Sequence, residues 1–244
     1  MRICATPRLR LTYICAGLIS ITSLQAAVTV TNSDQASLND INADTYSYTV
    51  QQTNSTLVIG FYIDANESVT GVTFDGVAAD GFFSNSRMTI AYWDNPNTGS
   101  GNLDILGIPG GFGGTDVHLG VYELSGVDLT TVNSSTGGSI TTTTDNEFVV
   151  SFAGSNGDAG DHSPTSTSII DSGLFSRNGS NLPGGSTNGG GSMGGGYGFA
   201  GLAGSQDVSF VQGDTVSYSF QAVPEPSAIS LIGLGSLLLL RRRR

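Results

Sequence analysis

Two histidines, His118 and His162, and three glutamates, Glu67, Glu123 and Glu147, are the only residues of those types between positions 28 and 222. Acid–base and nucleophilic catalysis draw first on such groups, so their settings decide whether an enzyme is legible here. His118 lies in Asp116-Val117-His118-Leu119-Gly120-Val121-Tyr122, out of phase with the apolar Val117, Leu119 and Val121. Strand alternation therefore predicts that it faces solvent or is only partly covered. His162 sits in the turn-rich run Asn156-Gly157-Asp158-Ala159-Gly160-Asp161-His162-Ser163-Pro164. A base there could serve a serine nucleophile, but serine is too common for nearness in sequence to count, and no Gly-x-Ser-x-Gly elbow is expected. Glycoside hydrolysis needs two carboxyl groups roughly 5–9.5 Å apart, and none of the glutamates has a recognisable glycosidase setting. The reading is of a protein without catalysis.

Metal chemistry is equally thin. Hard cations want several closely spaced oxygen ligands. Asp94-Asn95-Pro96-Asn97-Thr98-Gly99 has glycine at the sixth position of a calcium loop, yet Pro96 fills the third and Ile105 stands where a glutamate is required. No metal and no cofactor are expected; Asp158 and Asp161 are the residues that would hold loop calcium if any did. Cys4 and Cys15 are the only cysteines, and both precede residue 28, so no disulfide supports the rest of the chain. There is no lysine. Between residues 28 and 240, Arg87 and Arg177 stand alone against all twenty acidic residues. Such a surface repels phosphate backbones and excludes nucleic acid as a partner.

The ends of the chain read as addresses. Arg2, Arg8 and Arg10, the apolar stretch from Leu11 to Ile21, and Ser23-Leu24-Gln25-Ala26-Ala27 make the three regions of a secretory signal peptide, residues 1–27. At the other end, residues 223–244, Pro224-Glu225-Pro226 precedes an apolar run from Ala228 to Leu240 and the block Arg241, Arg242, Arg243 and Arg244. The run is shorter than the roughly 20 residues of a free-standing membrane helix. The arginines would stay cytoplasmic by the positive-inside rule and stop export of the tail. This pattern resembles the PEP-CTERM sorting signal of Gram-negative bacteria. The resemblance implies an exosortase-like membrane protease/transpeptidase as partner, contact with the membrane through a short C-terminal transmembrane helix before processing, and a final place at the cell surface or outside the cell.

Residues 28–222 must then be the exported domain. Thr45–Val50, Thr56–Ile63, Met88–Trp93, Val117–Leu124, Glu147–Phe152 and Val216–Phe220 are short, β-branched and aromatic, with turn residues between them and no 3.6-residue apolar stripe. Asp75-Gly76 between alternating apolar positions predicts a type I′ hairpin. The whole reads as all-β: two antiparallel sheets packed as a sandwich or jelly roll, with a signal helix before and a membrane helix after. A parallel β-helix is the alternative, and no fixed repeat supports it. The segments around Thr56–Ile59, Ser68–Ala78, Ala91–Pro96 and Gly120–Asp128 resemble a β-sandwich domain of secreted and surface-anchored bacterial proteins, a likeness that brings no catalytic motif. Residues 184–204 hold eleven glycines and predict a long mobile loop, with Tyr197 and Phe199 re-entering a sheet at its end.

These readings point to an exported surface or extracellular-matrix protein with a structural role. The alternative is a carbohydrate-binding or adhesive module, with extracellular polysaccharide as partner and Trp93, Tyr92, Tyr62 or Tyr122 as stacking area. A glycoside-acting enzyme ranks below both.

Overall fold

The computed structural model describes residues 27–38, 45–63, 69–85, 87–107, 117–156, 162–166, 168–177 and 191–223. All of the regular structure among them is antiparallel β-sheet. The expected signal helix and C-terminal helix fall outside these residues. Among the described residues no helix is long and apolar enough to cross a membrane.

Two five-stranded sheets form the centre. The first runs β1 (Thr29–Leu38), β9 (Val117–Ser125), β3 (Ser55–Ile63), β7 (Met88–Asp94) and β6 (Gly81–Asn85). The second runs β10 (Val127–Thr136), β16 (Asp214–Ala222), β12 (Phe148–Asn156), β14 (Gly191–Phe199) and β13 (Ile170–Arg177). Between them Val58, Tyr62, Ile90, Tyr122, Phe152, Val216 and Phe220 make one core. Tyr122 stacks on Phe152 at 5.3 Å, and that ring lies where a Cβ of Gly60 would be.

The expected sandwich is present, but it is thicker than two sheets. A four-stranded sheet, β2 (Tyr46–Val50), β8 (Gly99–Leu106), β4 (Gly71–Phe74) and β5 (Val77–Ala78), covers the outer face of the first central sheet. Tyr48, Leu57, Ile59, Phe61, Trp93 and Val121 pack in that second interlayer. On the far side, β11 (Ser139–Thr142) and β15 (Gly204–Asp207) pair with each other, and Ile140 joins Val149, Ala153, Ile169 and Val208 in a third, smaller cluster. The covering sheets explain why β3 is buried at every position while β2 alternates buried and exposed. A strand packed on both faces reads as a continuous apolar run.

Local signals held where they were local. Asp75 and Gly76 have φ of 50° and 76°, as a type I′ turn demands, and Phe74 pairs with Val77 across it. The glycine-rich run is a correction. Gly191–Phe199, expected as loop with re-entry only at Tyr197 and Phe199, forms β14 throughout, paired with β12 on one side and β13 on the other. Its glycines serve close approach: a Cβ on Gly194 would meet His162 O at 2.7 Å, and one on Gly196 would meet Ile170 O at 2.6 Å. One on Gly198 would penetrate Ser168 O. Residues 162–166 and 168–170 thus bring their backbone directly onto the bare face of the strand. Gly198→Ala is expected to cost about 2–3 kcal/mol, since its obstacle is backbone and cannot rotate away. Gly201→Ala, with nothing within 4 Å of the new carbon, should stay within about 0.5 kcal/mol. Equal melting temperatures for the two variants would contradict this packing role.

Candidate functional site

Both histidines are interior residues. His118 sits on β9 with its side chain on the same face as Tyr122 and Leu124, and it is 0% exposed. The phase read from the sequence was right and the inferred exposure was wrong, because a second sheet covers that face. Ser37 Oγ lies 2.8 Å from His118 Nδ1, and the ring stacks at 6.4 Å and 27° on Tyr62. A Cβ on Gly191 would approach His118 Cδ2 to 2.8 Å, so β14 closes over it. Burial, with a smaller contribution from the charge of His162, lowers its pKa to about 4. It is a neutral ring at physiological pH. Arg87 reaches the same end of the sandwich, its Nη1 donating to Tyr62 Oη at 3.0 Å.

His162 lies on the outer face of the second central sheet, 2% exposed. Its Nδ1–H donates to Gln212 O at 3.0 Å, and its Nε2 lies 2.7 Å from Ser192 Oγ and 3.3 Å from Ser155 Oγ. This is the connectivity of a serine–histidine pair with a carbonyl as orienting group. The run Gly190-Gly191-Ser192-Met193-Gly194 also spells Gly-x-Ser-x-Gly, a pattern the sequence was not expected to contain. Its geometry is different from an elbow: Ser192 is inside an extended strand, 0% exposed, in register with both Ser155 and Arg177. An elbow instead lifts its serine on a sharp strand-to-helix turn. The pair fastens residues 162–166 to β14.

Glu123 and Glu147, 0% and 1% exposed, are fasteners of the same kind. Glu123 accepts from the backbone N–H groups of Gln51 and Gln52 and from Tyr48 Oη, holding the turn between β2 and β3. Burial, then the charge of Glu123, raises the Tyr48 hydroxyl above its ordinary range. Glu147 accepts at Oε1 from the N–H and hydroxyl of both Thr143 and Thr144, and at Oε2 from Ser219 Oγ and Asn133 Nδ2. Its desolvation would raise the pKa, but the bonds from Ser219, Thr144 and Thr143 outweigh it and the carboxyl stays below the ordinary value. Nothing in the sequence announced these roles, since the partners of Glu147 include a serine 72 positions away.

The aromatic residues considered as a sugar platform are mostly core: Trp93 is 2%, Tyr62 1% and Tyr122 0% exposed, with Tyr92 partly buried against Tyr218 and Phe220. An open concavity among the described residues lies elsewhere. A cleft of about 170 Å³ is bounded by the β4–β5 turn and the loop that joins β7 to β8, with Phe74, Asp75, Asp94, Asn95 and Gly101 among its walls. Among the described residues, no three His, Cys, Asp or Glu side chains converge to hold a metal ion. Glu67, Asp158 and Asp161 lie outside the described residues, as do Pro224, Glu225, Pro226 and Arg241–Arg244.

The described chain is therefore a layered antiparallel β-sandwich in which His118, His162, Glu123 and Glu147 are buried and hydrogen-bonded. Residues 222–244 match the family model for the PEP-CTERM protein-sorting motif. The chain carries a PEP-CTERM signal, and that signal marks it as an exported, exosortase-sorted protein destined for the cell surface or the extracellular space. It matches no curated protein and no solved structure.

Proposed function

We propose that this is a non-enzymatic structural protein of the cell surface or extracellular matrix, delivered through its C-terminal tail and released from the membrane by processing. The sorting motif carries the reading. The interior environment of His118, His162, Glu123 and Glu147 supports the absence of catalysis, because each is enclosed and engaged in holding strands or turns together. At about 1.5 Å per residue, a helix from Ala228 to Leu240 reaches about 20 Å against a hydrocarbon core of about 30 Å. That length captures a chain at the bilayer without anchoring it comfortably. The tail is accordingly a processing intermediate, with Pro224-Glu225-Pro226 kept extended by its prolines.

In a host that has an exosortase, surface-located protein should lack the arginine block, and a chain truncated before Val223 should appear unsorted in the medium. Intact-mass measurement that finds Arg241–Arg244 on the surface protein would sink the processing step. Residues 1–27 should be missing from the same mature species.

A further inference from the structure

We infer that the cleft between the β4–β5 turn and the β7–β8 loop binds one unit of a neutral, hydroxyl-rich polymer, a sugar ring of an extracellular polysaccharide. Its floor is fixed. Gly101 has no side chain, and a Cβ there would come within 2.6 Å of the Phe74 ring. That ring is itself set against Trp93 at 6.0 Å and 60°. Trp93 is locked in turn by its Nε1–H, which donates to Val77 O at 2.9 Å. The glycine thus lets the Phe74 ring, itself 3% exposed, pack directly against β8 and close the base of the depression.

The walls are positioned as firmly. Asp75 takes the left-handed turn conformation, and its backbone N–H donates to Asn102 O at 2.8 Å. The backbone N–H of Asp94 donates to the Asp80 carboxylate at 2.7 Å, leaving the exposed Asp94 side chain at the rim. Asn95, also left-handed, accepts from Asn54 N–H at its Oδ1, so its amide NH₂ is the end available to a ligand. The cleft thus offers two carboxylates as acceptors and one oriented amide as donor, over a base closed by the Phe74 ring. A sugar ring presents the complement: hydroxyl donors on its edge and C–H groups on its face.

Size and charge narrow the class. A cleft of about 170 Å³ is small and has room for one ring, not for several side by side. Asp75 and Asp94 at the rim, on a strongly acidic surface, oppose uronate, sulfate and phosphate groups. Neutral units are favoured over acidic ones. This reading concerns ligand binding and is independent of how the tail is processed.

The test uses the full chain in detergent on an array of neutral and uronic-acid oligosaccharides, followed by calorimetry with the best neutral probe. Neutral oligosaccharides should be retained and uronic ones not. The combined change Asp75→Asn and Asp94→Asn, both at exposed positions, should weaken binding at least tenfold without moving the thermal midpoint. Chelator should leave binding unchanged. Retention of no neutral oligosaccharide, equal binding by the double variant, or binding that requires calcium would each overturn the assignment.

Discussion

Glu147→Ala is expected to destabilise the protein by about 4 kcal/mol, a large share of the 5–15 kcal/mol that holds a typical domain together. The carboxylate is 1% exposed and collects donors from three places: the turn at Thr143 and Thr144, Ser219 on β16 and Asn133 on β10. Alanine removes the acceptor and leaves all of them behind. Each buried donor so stranded costs about 1–3 kcal/mol, although water entering at the exposed threonines recovers part of that. Glu147→Gln should lose less, about 2 kcal/mol, because its oxygen can still accept from the turn while its NH₂ meets Ser219 and Asn133 as an unwanted donor. Denaturant midpoints ordered wild type, glutamine, alanine would support the account. A fully stable alanine variant would remove Glu147 from the framework.

Acidification should destabilise the fold in two successive windows. His118 has a folded pKa of about 4 against an ordinary 6.5, so the unfolded chain takes up its proton first. Its contribution is complete above pH 6.5, is lost as pH falls from 6.5 to 4, and is constant below that. A displacement of this size corresponds to about 3 kcal/mol at the limit. Glu147 follows with the carboxylate pattern. Its pKa lies below the ordinary 4.5, so its contribution is present above pH 4.5 and lost as pH drops through the folded value. Chemical denaturation at pH 8, 6, 5 and 4 should show the first loss, and His118→Asn should flatten that limb while leaving the acid limb in place. An unchanged slope between pH 6.5 and 4 in the variant would exclude His118 as its source.

What the sequence disclosed depended on distance along the chain. The tail is contiguous, so its triplet, apolar run and arginines are legible together, and the Asp75-Gly76 hairpin is decided by two residues and their neighbours. His118 marks the boundary. Its phase on β9 follows from alternation, but whether water or another sheet lies opposite depends on β14, more than seventy positions further on. The glycines of β14 misled for a related reason. Glycine raises the entropic cost of ordering a segment, and a sequence cannot show that the missing side chains are needed to admit His162, Ser168 and Ile170 against the strand. The covering sheets were missed because β3 and β9 read as rich apolar strands whether one face or two is buried. The cleft is half visible in the sequence: the Asp94–Gly99 loop shows its oxygen-bearing side chains there, while the opposing wall at Asp75 and the base at Gly101 come from other parts of the chain.

The position of β16 bears on the timing of export. A chain delivered from its N-terminus presents β16 last, yet this strand lies inside its sheet, between β10 and β12, and supplies Val216, Tyr218 and Phe220 to the central core. Until it arrives, β12 has an unsatisfied edge and the two central sheets lack a strip of their shared interior. Only Val223 separates its end from Pro224. The strand that completes the sheet and the sorting triplet are therefore delivered in immediate succession. A chain whose β16 has not yet been delivered has also not yet presented its address, because the two are adjacent in the sequence.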